Sequence, residues 1–197
     1  MRFSLLVFLT LAVTAFGQKT PPLSPKLVLA DQFGQAADLS ETKGDVVVLV
    51  YGDKKSVDAN RVLGAALHVQ FHPTARGQSS EKAQKAPVKP VPNWPAGVRA
   101  PDVRVTAIAC IGKVPGLVAK LIRGHIRRHS PVLPVYLDFA DTMKRAFGVA
   151  PKISNVVVLD TKRRVRYRAA ARYSREQMMY LVNLIDQLRL EARSANK

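Results

Sequence analysis

The chain has 197 residues, 47% of them hydrophobic, which excludes a disordered polymer and suffices for one domain with its own core. Its 31 basic and 14 acidic residues give a formal net charge of +17, which favours anionic partners such as phosphate-bearing surfaces, acidic polysaccharide or acidic proteins. A single cysteine, Cys110, excludes an internal disulfide, so an oxidising compartment would be tolerated without being used for stability.

Arg2, the apolar run Phe3 to Thr14 and the small-x-small site Ala15-Phe16-Gly17 form the pattern of a secretory signal peptide over residues 1–17. The run is shorter than the ~20 apolar residues a membrane span needs, and no later segment is long and apolar enough to cross one. The expectation is an exported protein, periplasmic or extracellular, with one domain over residues 18–197.

A Pro-rich lead (18–26) gives way to Leu27-Val28-Leu29 and the turn around Gly34, a short hairpin. Val46 to Tyr51 is a continuous apolar run between Gly44 and Gly52, which predicts a strand buried on both faces. Helical spacing begins near Ser56, with Val57, Leu63, Ala66 and Leu67 turned inward. Residues 73–102 hold six of the 13 prolines, together with Lys82, Lys85, Lys89 and Arg99, and read as a mobile basic insertion.

Val103 to Ile111 predicts a second buried strand. Val114, Leu117, Val118, Leu121, Ile122 and Ile126 then form one apolar stripe at helical spacing, opposed by Lys120, Arg123 and Arg127. Leu133 to Leu137 is a third strand, and Asp138 to Phe147 a short helix stopped by Gly148. Val156 to Asp160 and Arg164 to Ala169 make a closing hairpin. Ser174 and Gln177 form a capping-box pair at the start of a last helix that buries Met178, Leu181, Val182, Ile185 and Leu188. Strands alternating with helices predict an α/β fold: a mainly parallel sheet covered on both faces, with an antiparallel edge.

Two stretches carry a family resemblance. Leu29-Ala30-Asp31-Gln32-Phe33-Gly34-Gln35, with Leu39-Ser40, Gly44 and the Val46–Val50 strand, resembles the opening of redoxins, the group of peroxiredoxins and thioredoxin-like thiol reductases. Leu133 to Asp138, Met143 to Val149 and Val156 to Asp160 resemble the redoxin run of strand–Asp, helix, aromatic-Gly-Val, strand–Asp. The resemblance implies a thioredoxin-like fold over roughly residues 27–190, with a central mixed sheet and helices on both faces.

The activity of that group would sit after the Tyr51 strand, where thiol reductases carry Cys-x-x-Cys at a helix N-terminus that lowers the first thiol's pKa. Here Lys55 and Asp58 occupy the two cysteine positions, and Ser154 stands where redoxins usually hold a cis proline. The redox site is therefore degenerate, and no cofactor is implied. Cys110, near the end of a buried strand, reads as a core residue, with a redox or metal role as the alternative.

His68/His72 and His125/His129 are i, i+4 pairs near helix ends, a spacing that also arises without metal, and no metal site is assigned. Arg164, Arg166 and Arg168 alternate along the closing hairpin, which would put three guanidiniums on one face. Arg123, Arg127 and Arg128 make a second candidate anion-binding patch. No nucleic-acid motif accompanies them, so no specific nucleic-acid partner is expected. The leading expectation is an exported binding or accessory protein for anionic partners, without thiol redox catalysis. The alternative is a thiol–disulfide or peroxide oxidoreductase of the redoxin type using Cys110.

Overall fold

At the centre of the sheet, every residue of the strand Val46–Gly52 (β3) is buried. Its Val and Leu side chains face helices on both sides, which is why the run shows no polar alternation. Each such side chain contributes ~1.5–3 kcal/mol on burial, so a charge placed at Val48 would break the sheet where most contacts meet. The computed structural model describes residues 20–194. The expected signal peptide, residues 1–17, lies outside the described residues.

Seven strands form one mixed sheet in the order β2-β1-β5-β4-β3-β6-β7. The strands are Val28–Asp31 (β1), Ala36–Asp38 (β2), β3, Val103–Cys110 (β4), Val135–Asp138 (β5), Ser154–Leu159 (β6) and Val165–Ala171 (β7). β3, β4 and β5 run parallel, while β6, β7, β1 and β2 add antiparallel neighbours at the two sides. The helices are Val57–Phe71 (α1), Ser80–Gln84 (α2), Gly116–His129 (α3), Thr142–Phe147 (α4) and Arg175–Ser194 (α5).

The alternating side chains of β3 separate two cores. Val46, Val48 and Val50 pack with Leu63, Leu67 and Phe71 of α1 and Leu181, Ile185 and Leu188 of α5. Val47, Leu49 and Tyr51 pack on the other face with Met143 and Phe147 of α4, Leu27 and Ile108. The capping box at α5 forms: Ser174 N–H donates to the Gln177 side-chain oxygen at 2.9 Å, and Gln177 N–H donates to Ser174 Oγ at 3.3 Å. Gly148 ends α4 with φ 71°, a conformation open to glycine at no steric cost.

The 73–102 insertion is bound to the domain rather than free. A 3₁₀ turn (Pro73–Ala75) and α2 interrupt it, and Ala75 and Val91 are buried. His68 Nε2 lies 2.9 Å from the Ala83 carbonyl, His72 Nδ1 lies 3.0 Å from that of Ala86, and Lys89 N–H donates to the Phe71 carbonyl at 2.7 Å. Arg189 of α5, 1% exposed, donates to the carbonyls of Pro101 (2.9 Å) and Lys89 (2.7 Å). Proline removed local backbone donors, and side chains distant in sequence supply the bonds instead.

α3 departs further from expectation. It has no buried residue. Leu117 and Leu121, expected on a core-facing stripe, are 72% and 66% exposed. The helical period is correct, but only the Ile122 and Ile126 edge of that stripe, with Arg123 beside it, rests on the domain.

Candidate functional site

Three strand ends and the turn entering α1 enclose a hollow of about 210 Å³ lined by Asp53, Cys110, Ile111, Gly112, Asp138, Asp141, Lys144, Val149 and Pro151. It lies beyond the carboxyl ends of β3, β4 and β5, where parallel sheets gather their sites.

Asp53 dominates the turn. Its Oδ1 accepts the N–H groups of Lys55 at 2.9 Å and Ser56 at 3.1 Å, and its Oδ2 accepts that of Lys152 at 3.2 Å. Ser56 Oγ donates back to the Asp53 carbonyl at 2.9 Å and accepts from Asn60 Nδ2 at 3.3 Å. A carboxylate therefore sits just ahead of α1, where the helix dipole favours negative charge. In a thiol reductase that field would stabilise a thiolate. Here it faces the Asp53 carboxylate, and Lys55 and Asp58, expected at the two degenerate positions, are exposed.

Cys110 reaches the hollow from the end of β4. Burial, and after it the Asp138 carboxylate, push its thiol up to about 12. Thiolate chemistry near neutral pH is correspondingly suppressed. Asp138 is itself buried and spent on structure: Oδ1 accepts from the N–H groups of Ala140 (3.2 Å) and Thr142 (2.8 Å), and Oδ2 from that of Met143 (2.8 Å). Next to Ser154, Asn155 Nδ2 donates to the carbonyls of Ala150 (3.0 Å) and Ile153 (3.2 Å).

The three hairpin arginines do not share a face. The ladder between β6 and β7 shifts register between Val158 and Leu159: Val158 pairs with Tyr167, but Leu159 pairs with Val165. Arg166 is the extra residue of that bulge, and the residues beyond it change faces. Tyr167 packs in the α1/α5 core and Val165 against the α4 core. Arg166 points to α5, where its Nη1 donates to Glu191 Oε2 at 2.6 Å and its Nη2 to Glu191 Oε1 at 3.2 Å, with Asp160 Oδ2 at 3.4 Å. Arg168 pairs with Val157 on the opposite face, with a guanidinium nitrogen beside Gly148. Arg164 lies in a separate bridge with Leu23.

On α3, Arg123 lies over the Phe139 ring at 5.0 Å and Arg127 over the Phe33 ring at 5.6 Å, with Arg127 Nη2 donating to the Gln32 carbonyl at 3.0 Å. Arg128 is exposed. Sequence reasoning did not single out Gln32, which is fully buried. Its Nε2 donates to the carbonyls of Ser130 and Leu133, both at 2.8 Å, and its Oε1 accepts from Val135 N–H at 2.7 Å. It also passed over Asp53, although Asp-x-x-Ser before a helix is a legible turn signal.

Six of the 14 acidic side chains turn onto the backbone. Asp31, Asp38, Asp45, Asp53, Asp138 and Asp160 each accept backbone N–H bonds at turns. Four of them, Asp31, Asp45, Asp138 and Asp160, are buried. Glu41, Asp58, Glu81, Glu176 and Glu191 are the carboxylates left exposed among a larger number of lysines and arginines.

No protein-family model matches the chain, and no curated protein matches it. Solved structures do. A candidate protein disulfide isomerase from Bacteroides thetaiotaomicron superposes with a TM-score of 0.54 at 14% identity, covering 90% of this chain and 94% of its own. A thiol:disulfide interchange protein of the thioredoxin family from Chlorobium tepidum superposes with a TM-score of 0.50 at 14% identity, covering 86% of this chain and 99% of its own. Identity this low speaks for the fold alone. The fold is thioredoxin-like, and with one cysteine the chain holds no Cys-x-x-Cys.

Proposed function

We propose that this thioredoxin-like chain is an exported binding or accessory protein for anionic partners and does not catalyse thiol redox chemistry. One observation carries the reading: the position ahead of α1 is filled by the Asp53 carboxylate, bonded to the N–H groups of Lys55 and Ser56. The loss of redox chemistry thus extends from the absent sulfur to the electrostatics that would have activated it. A thiol pushed up to about 12 at Cys110 supports the same reading. The inward turn of the aspartates supports an anionic partner. Export rests on the sequence pattern of residues 1–17.

The test has two arms on the chain beginning at Gln18. Insulin reduction and peroxide consumption should stay at background, and retention on heparin should fall steeply with salt. Turnover that disappears in Cys110→Ser would overturn the non-catalytic reading. Passage through heparin at low salt would overturn the anionic-partner reading.

A further inference from the structure

We infer that α3 is the element by which this protein docks onto an anionic lipid surface. The inference rests on the anionic-partner reading and names the partner's class.

α3 stands on the domain through its cations. Arg123 and Arg127 set their guanidinium groups over the rings of Phe139 and Phe33, and Ile122 and Ile126 are half-buried beside them. The outward side is apolar at its amino-terminal half: Leu117, Leu121 and Val118 are 72%, 66% and 39% exposed. At 3.6 residues per turn, Leu117, Leu121 and Arg128 fall within about 40° of one another. Lys120 and Arg127 flank that line on one side, Val118 and His125 on the other.

Charge sets the chemistry of the occupant. From Val103 to Leu137 the chain carries no carboxylate, while Arg104, Lys113, Lys120, Arg123, Arg127 and Arg128 lie within it. Among the described residues, none of the five cations from Lys113 to Arg128 pairs with a carboxylate. A short helix with protruding leucines and a wholly basic polar face suits the boundary between headgroups and acyl chains of an anionic bilayer.

Shape favours lipid over a protein partner. The leucines protrude, 72% and 66% exposed, and the hollows beside Cys110 and beside Lys43 and Arg163 are lined by other residues. A specific protein interface needs about 800 Å² on each side. A fluid bilayer needs no matching socket and closes around a ridge of two side chains.

The experiment is co-sedimentation of the chain from Gln18 onward with vesicles of phosphatidylcholine alone or mixed equally with phosphatidylglycerol. This chain keeps every strand and helix named above, and the apolar Phe3–Thr14 run, which would bind lipid by itself, is left off. Binding is expected to the mixed vesicles only. Leu117→Ser with Leu121→Ser should weaken it at least tenfold without moving the heparin elution salt. Lys120→Gln with Arg128→Gln should weaken it about fivefold per residue. All four positions are exposed, and an unchanged melting temperature verifies the fold.

Failure to bind mixed vesicles would overturn the inference. If heparin retention persists in that case, the anionic-partner reading stands with an acidic protein or polysaccharide as partner; if it is lost too, both fall. Equal binding to neutral vesicles, binding undiminished in the leucine variant, or a dimer that the leucine variant dissolves would each overturn α3 as a lipid-docking helix.

Discussion

The Asp53 carboxylate accepts the Ser56 backbone N–H at 3.1 Å, so the entrance to α1 already holds a negative charge. A thiolate placed beside it would meet repulsion where a thiol reductase offers stabilisation. The chemistry of the remaining thiol follows from the same neighbourhood.

Cys110 should resist alkylation. With its thiol pushed up to about 12 by burial and then by Asp138, iodoacetamide at pH 8 should label it about 1,000-fold more slowly than an ordinary cysteine of pKa about 8.5. Mass spectrometry over a time course checks this, with Cys110→Ser as the blank. Labelling at the rate of free cysteine would show that the thiol is accessible and ionised.

Arg189 should control the insertion. Arg189→Leu leaves the carbonyls of Pro101 and Lys89 without their donor, at about 2–4 kcal/mol in urea unfolding. Trypsin should then cut after Arg99 well before it does in the parent chain. Unchanged digestion would mean that the burial of Val91 alone holds the segment.

Arg166 holds the Glu191 carboxylate below its usual range, with burial opposing. The folded pKa is the lower one, so the stabilisation is present above the unfolded value of about 4.3 and is lost as pH falls through the folded one. The pair is partly exposed, and its worth is ~0.2–1 kcal/mol. Glu191→Gln should therefore lower stability at pH 7 by that amount and leave it nearly unchanged at pH 3. An equal loss at both pH values would assign the effect to packing.

Ser174→Ala removes one half of the capping box and should cost about 1 kcal/mol in chemical unfolding. Ser174→Asp, which keeps the acceptor, should restore most of it. A silent Ser174→Ala would show that the packing of Leu181 and Ile185 alone fixes the start of α5.

Outside the 73–102 segment, where α2 was not expected, the sequence by itself determined the order of strands and helices, because apolar runs and spacings record which residues share a face. Val46–Tyr51 could be nothing but a doubly covered strand, Ser174 and Gln177 cap locally, and Lys55 and Asp58 exclude a disulfide by composition. Only the tertiary structure decided what lies against each face. The stripe of α3 has the right period, yet nothing in a period says that Leu117 and Leu121 point to solvent. The insertion is held by Arg189, 88 residues beyond Pro101, a bond that no local pattern encodes. One extra residue at Arg166 sent neighbouring arginines to opposite faces, since a strand alternates with period two and a single bulge inverts the count.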